Sequence, residues 1–477
     1  MMRDIRISHR WLIILTAAII LSSLAVILGL RFFTNYGTWR PVSSSGWIFF
    51  AGWYLAFLSG FMVPVQSISC APQIQHFTNH WVMALSLASL IGVGAMIYEL
   101  AIVRGYGFST PVFDLRTMQV EQADAGFVGS WLGGFGRLFV SAIVAAWIVA
   151  CLRWQALSWR GLVVLLVSTL AVFLYQAAFE GGRSFATALV LVVFFASAGS
   201  SIADVSHDGR LRLSSLRFRH AAPLVLAFVV LLANNQYNLT VFASRGSRTI
   251  QTIEQQLDQT LSATASTHET ADDKAPKAEQ LEIIDQARAS SAPPYALAYL
   301  RYASDFDIDL SSIRDLDQLA VKYSRAMNWL YITQGANEFD RIFGLSNLSH
   351  SYGFYQFPQI AQILSKLLGK DMRYNLARNL PNVGTYITLM GAFYLDFGTV
   401  PSLILAALMG LGLRYGLQCM FDGATTIFSL SAPLILVIMA AAPVTTLLPN
   451  MWPCFLWMAL MCASPLFMAG SRRRESV

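Results

Sequence analysis

The chain has 477 residues, of which 55% are apolar and only 13% charged, with a mean hydropathy of +0.52. Soluble domains run near 45–50% apolar and roughly 25% charged, so a soluble single-core enzyme and a disordered chain are both excluded. The net charge of +6 comes without a basic, aromatic-interleaved patch, so nucleic acid is not an expected partner.

The apolar residues fall into blocks of about 20, the length of a helix that spans a bilayer. Ten-residue alternating segments, the mark of a membrane β-barrel, are absent. The expected fold is an all-α polytopic membrane protein. The first block, 11–30, follows Arg3, Arg6 and Arg10, which places its start in the cytoplasm. It is long for a signal peptide and no A-x-A site follows it, so it reads as a retained anchor. Further spans at about 46–66, 81–103, 127–150, 161–180, 184–203, 221–240, 399–418, 426–447 and 452–470 bring the total to about ten. With that count the short loops carrying Arg153 and Arg160, then Arg210, Arg212, Arg217 and Arg219, and finally the tail with Arg472, Arg473 and Arg474 all lie in the cytoplasm.

Four regions follow: an N-terminal bundle over 1–240 with about seven spans, a loop domain over 241–382, a short apolar segment over 383–398, and a C-terminal bundle with a basic tail over 399–477. The loop is expected to be mainly helical and extracytoplasmic. It holds 14 Lys+Arg against 16 Asp+Glu, a slightly acidic balance in a basic chain. Large domains translocate regardless of such charges. Its stretch from Ser262 to Gln280 is polar and poor in aromatics, as a linker is. The segment 383–398 is too short to span and reads as re-entrant or interfacial. No internal repeat of the kind common in secondary transporters is present.

Four places concentrate groups that could do chemistry. Glu180-Gly181-Gly182-Arg183-Ser184 makes a tight outer turn that holds a carboxylate and a guanidinium at the bundle rim. An arginine fork matches phosphate and keeps its charge. The end of the loop brings Arg373, Arg378, Asn382 and Tyr386, then Asp396-Phe397-Gly398. The stretch from Tyr331 through His350 and Tyr352 mixes aromatics with polar groups, which suits sugar rings, and His350 is a candidate general base. Arg104-Gly105-Tyr106-Gly107 adds positive charge in the first outer loop. The five cysteines, Cys70, Cys151, Cys419, Cys454 and Cys462, read as small apolar residues of the spans. No ligand spacing for a metal, no P-loop and no GxGxxG occurs, so neither a metal nor a cofactor is expected.

Taken together, several features resemble the Wzy-type oligosaccharide-repeat-unit polymerases of bacterial O-antigen and capsule synthesis. They are the many spans, one large loop between late spans, the Gly-Gly-Arg-Ser turn opening a helix, Tyr-Ile-x-x-Gly-x-x-x-Phe at Tyr331–Phe339, and Asn382-x-x-Thr385 leading to Asp396-Phe397-Gly398. The resemblance implies a GT-C-like glycosyltransferase of the bacterial inner membrane, with both termini cytoplasmic and the large loop periplasmic. Donor and acceptor would both be glycans on undecaprenyl diphosphate. Membrane lipid, a chain-length regulator and a flippase are the implied partners. Such a reaction needs cations for the leaving diphosphate and a base for the acceptor hydroxyl. Arg183, with Arg378, Arg373 and Arg104, is expected on the diphosphate. The base is expected among Glu180, His350 and Asp396. Tyr331, Tyr352, Asn382 and Tyr386 are expected on the sugars. An O-antigen ligase or another lipid-linked GT-C transferase is the nearest alternative, and a polysaccharide or lipid-glycan transporter the second.

Overall fold

The computed structural model describes residues 6–8, 42–65, 78–106, 130–176, 183–207, 210–212, 335–345, 348–372, 374, 387–421 and 426–463, with isolated positions between 14 and 21. Contacts divide the chain into two units, 1–234 with 330–477, and 235–329. The second unit lies outside the described residues, as do the expected span 221–240 and most of 11–30.

The described part of the first unit is a helical bundle. In chain order it contains α1 (Ser44–Phe61), α2 (Thr78–Tyr98), α3 (Trp131–Val140), α4 (Ala142–Leu152), α5 (Trp159–Tyr175) and α6 (Arg183–Val205), then α7 (Gly335–Phe343), α8 (Pro358–Leu368), α9 (Leu389–Phe397), α10 (Thr399–Phe421), α11 (Ile427–Ala441) and α12 (Leu448–Ala463). Among the described residues, three apolar segments are long enough to cross a membrane: Thr78–Val103, Trp131–Leu152 and Thr399–Phe421. Four shorter apolar helices accompany them, Trp159–Tyr175, Thr187–Ser201, Ile427–Ala441 and Leu448–Ala463. The chain is therefore a helical membrane protein.

Hydroxyl caps set where the helices begin. Ser43, Ser130 and Ser158 each accept from the backbone N–H three residues on, and Thr426 with Ser429 forms a capping box before α11. These groups satisfy donors that lipid would leave unpaired. The apolar run 131–152 is interrupted at Ser141, whose Oγ donates to Leu138 O at 2.6 Å. Beyond Tyr98 the ladder of α2 widens into a π-helical turn, Glu99–Val103.

Cross-chain hydrogen bonds sort the helix ends into two groups. At one end, Ser43 N donates to Asp340 Oδ2 at 3.0 Å, Gln362 Nε2 to Ser130 O at 3.1 Å and Gln359 Nε2 to Pro449 O at 3.1 Å. Leu389 N reaches Ala442 O at 2.9 Å there, and Thr446 N reaches Ile387 O at 2.8 Å. At the other end, Asn79 Nδ2 donates to Ala156 O at 3.2 Å, Ser158 N to Asn79 Oδ1 at 2.6 Å and Ser200 Oγ to Leu152 O at 3.5 Å. The first is called the loop end and the second the sheet end. The sheet end carries a departure from the all-α expectation, a three-stranded patch of β1 (Arg6–Ser8), β2 (Ser206–His207) and β3 (Arg210–Arg212) in the order β1-β3-β2. Antiparallel pairing sets Arg6 opposite Arg212 and Ser8 opposite Arg210. Short polar segments between helices pair their backbones because no helix is there to satisfy them.

The core is aromatic near the loop end. Phe49 of α1 lies 5.4 Å from Phe339 and 5.3 Å from Phe343 of α7, and Phe343 lies 5.0 Å from Tyr394 of α9. These ring pairs pin α7 and α9 onto α1. Residues 335–345 and 348–372 thus pack on the bundle, although the sequence assigns them to the loop domain 241–382.

Candidate functional site

The site is built around α9, a nine-residue helix capped at its start by Thr388, whose hydroxyl accepts from Gly391 N at 3.1 Å. Its length falls far short of the roughly 20 residues a span needs. Its C-terminus ends at Gly398, with φ +78° and ψ −169°. That backbone region is essentially reserved for glycine, and a Cβ at Gly398 would stand 3.1 Å from His350 Nε2.

The chain from His350 to Phe357 wraps over this terminus. Ser351 N donates to Leu395 O at 3.1 Å and Tyr352 N to Asp396 O at 3.0 Å. Asp396 is completely buried. Its Oδ1 accepts from Ser351 Oγ and, at 3.2 Å, from Tyr355 N, and its Oδ2 accepts from Gln356 N at 3.1 Å. Burial pushes the Asp396 carboxyl above its usual range, and the hydrogen bonds from Ser351, Tyr355, Gln356 and Gly353 pull it part of the way back. The same burial, with the Asp396 charge next, raises the phenols of Tyr355 and Tyr374.

Geometry separates the expected bases. Asp396, one of the three expected bases, is a buried carboxylate engaged by several donors and so clasps the surrounding loop. His350 is half-buried, and its Nδ1 lies 3.3 Å from Leu395 O. A carbonyl only accepts, so Nδ1 is the donor in this contact. Tyr394 meets the ring edge-on at 6.0 Å. Among the described residues Nε2 makes no hydrogen bond. Two residues on, Tyr352 is 79% exposed and holds a positive φ of 50°. A non-glycine residue in that conformation costs energy that the surrounding structure must offset. The clasp on Asp396 does this, and it leaves the Tyr352 ring open to solvent.

Of the expected cations, Arg104 follows the π-helical turn, and its Nε pairs with Glu99 Oε1 at 3.2 Å. Glu99, itself buried, also accepts from the N–H of Ser130 at 3.1 Å and from the Ser130 hydroxyl. Arg104 therefore helps fasten α2 to the start of α3. Arg183 opens α6, whose far portion reaches the sheet end through Ser200. At about 1.5 Å per residue that places its backbone near the loop end. Glu180, Arg373, Arg378, Tyr331, Asn382 and Tyr386 lie outside the described residues. So do the remainder of the first outer loop beyond 106 and the linker 262–280.

Sequence reasoning missed a row of glutamines. Gln356, Gln359 and Gln362 are all buried. Thr446 Oγ1 donates to Gln356 Oε1 at 3.1 Å, leaving Gln356 Nε2 a buried donor without a hydrogen-bond partner. Trp452 Nε1 donates to Gln359 Oε1 at 2.8 Å. The three-residue spacing of these amides was the available signal. Asp340, which accepts from Ser43 at the start of α1, carried no comparable signal. Among the described residues, no group of three or more His, Cys, Asp or Glu side chains could hold a metal. Compared with protein-family models, curated proteins and solved structures, the chain matches none of them.

Proposed function

We propose that this chain is a membrane-embedded glycosyltransferase that joins lipid-diphosphate-linked oligosaccharide repeat units into a longer glycan on the outer face of the bacterial inner membrane. The observation that carries the reading is the His350 imidazole. Its Nδ1 faces Leu395 O, its Nε2 makes no hydrogen bond among the described residues, and an exposed tyrosine stands two residues away on the same clasped loop. On this reading the sheet end, with Arg6, Arg210 and Arg212, faces the cytoplasm, because basic segments stay inside. The loop end faces the periplasm, where no nucleotide sugar is at hand and the lipid diphosphate must supply the driving force.

The chemistry balances as follows. The acceptor's sugar hydroxyl attacks the anomeric carbon of the donor glycan. The bond from that carbon to the phosphate oxygen breaks, and undecaprenyl diphosphate departs with the electron pair. The hydroxyl proton passes to His350 Nε2. Arg183, with Arg373 and Arg378, neutralises the leaving diphosphate. Tyr352 stacks on a sugar face, with Tyr331, Asn382 and Tyr386 as further sugar contacts. A flippase delivers the lipid-linked units, and a chain-length regulator acts on the product.

The test is the ladder of surface polysaccharide in a strain lacking the chain, complemented with the wild type, Arg183→Ala or His350→Gln. The expected result is collapse to a single repeat in the deletion strain. Wild type restores long chains, and each variant lowers extension by about 10²–10³ at unchanged membrane abundance. Complete absence of attached glycan in the deletion strain makes the chain a ligase instead. An unchanged ladder overturns the enzymatic reading.

A further inference from the structure

Helix α8 is inside out for a helix in water. Its inward face is polar: Gln359, Gln362 and Ser365 are buried together with Ala361. The two glutamine amides are engaged by Pro449 O, Trp452 Nε1 and Ser130 O. The Ser365 hydroxyl donates to Ala361 O at 2.6 Å and accepts from Met372 N at 2.7 Å. Its outward face is apolar. Ile360, Leu364, Leu367 and Leu368 fall at i, i+4, i+7 and i+8, which is one stripe of a helix. Leu367 and Leu368 are each 64% exposed. A soluble helix places its leucines inward and its glutamines outward, and the reversed pattern is stable only where the outer face meets a medium as apolar as the leucines.

Two further features identify that medium. First, α8 packs on α3, where a Cβ at Gly134 would sit 3.6 Å from Ile363. The first turns of α3 expose Trp131, Leu132 and Phe135, and they open the membrane-length apolar segment Trp131–Leu152. The apolar stripe of α8 therefore lies beside the exposed apolar start of a membrane-length segment. Second, Lys366 and Lys370 are exposed beside the leucine pair, on either side of the left-handed Gly369 that ends the helix. Lysines so placed extend along apolar surface and set their ammonium groups among lipid phosphates.

We propose that α8 lies in the lipid interface at the loop end, with Leu367 and Leu368 in the acyl boundary and Lys366 and Lys370 on anionic headgroups. The loop that carries His350 then enters α8 at the membrane surface, so the clasp on Asp396 sits at headgroup height. This inference rests on packing alone and stands apart from the glycosyl-transfer reading.

The experiment uses the full chain in proteoliposomes with Leu367→Cys or Leu368→Cys, each carrying a bimane label, and the identically treated parent chain as background. Native Cys151, Cys419 and Cys454 are buried and Cys462 is half-buried, so the parent chain measures the background that Cys462 and Cys70 contribute. The expected result is quenching by shallow doxyl-phosphatidylcholine at least about twofold stronger than by aqueous iodide, as burial of roughly 5–10 Å into the boundary requires. Adding phosphatidylglycerol strengthens the lipid quenching, and Lys366→Gln with Lys370→Gln removes that dependence. Quenching by iodide with none from lipid overturns the proposal in favour of a water-facing helix. Shielding from both quenchers, with disulfide-linked dimers of the Leu368→Cys chain, overturns it in favour of contact with a second copy.

Discussion

Replacing Asp396 with asparagine separates the clasp from the chemistry. The amide puts an NH2 where an oxygen now accepts from Ser351, Tyr355 or Gln356, so a buried donor faces donors. The expected cost is about 1–3 kcal/mol, read as a lower unfolding temperature in detergent. A pH signature accompanies it. Burial holds the Asp396 carboxyl above its ordinary 3.8, so the folded chain binds this proton more tightly than the unfolded chain. Between the ordinary and the raised value the folded state carries more protons, and stability falls as pH rises through that window and levels off above it. Asp396→Asn removes this slope, and Ser351→Ala, which takes away a hydrogen bond that lowers the pKa, extends the window upward. A slope that persists in Asp396→Asn contradicts the assignment. His350 and Asp396 were both legible in the sequence as polar groups near one apolar segment. Their division into free imidazole and engaged carboxylate was not, because it depends on Leu395 O and on backbone N–H groups that no residue type announces.

At the scale of elements, small residues set how closely helices approach. A Cβ at Gly60 would collide with the backbone carbonyl of Ala407, and one at Gly410 with that of Phe57. Helices α1 and α10 thus meet backbone to backbone, as lipid-embedded helices do when van der Waals packing replaces the hydrophobic effect. Gly410→Val forces them apart at a cost of about 1–3 kcal/mol, again measured as thermal unfolding in detergent. Gly52, with open space around its Cβ position, accepts alanine with little change. The apolar blocks anticipated the described helices well, because length and hydropathy alone decide what enters a bilayer. Within 383–398, expected to be re-entrant or interfacial, the described part is the nine-residue helix α9. The break at Ser141 and the π-helical turn at Glu99 were hidden, because both arise from hydroxyl and carboxylate partners on other turns or other helices. The end of the long loop misled for a different reason. Translocated polar sequence and sequence that returns to the bundle share a composition, and only the inward glutamines of α8 distinguish them.

For the whole molecule, the two sets of cross-chain hydrogen bonds give each end a chemical label. Tyr352→Cys at the loop end is expected to react with a membrane-impermeant maleimide in intact spheroplasts, whereas a cysteine at Ser206 reacts only after permeabilisation. The reverse pattern inverts the bundle and removes the periplasmic site. The basic segments lead to the expectation that the sheet end is cytoplasmic, and the pairing of Arg6 with Arg212 gathers two of their arginines at that end. What the sequence withheld was the meeting of distant segments at the loop end, where Ser43, Ser130, Asp340, Gln359 and Gln362, Ile387 and Leu389, and 442–449 converge. Such long-range contacts leave no local periodic trace.

The partners of the clasped loop also impose an order on biogenesis. Ala442 and Thr446 receive α9 and the residue before its cap, Thr446 engages Gln356, and Pro449 and Trp452 engage Gln359. Every one of these receiving groups is synthesised after the loop that carries His350. The earlier helices have inserted by then, while the loop that carries His350 has nothing to close against until α11 and the start of α12 arrive. A nascent chain thus lacks the partners that close its loop end, and a message cut short before codon 442 is expected to yield helices with no finished loop end.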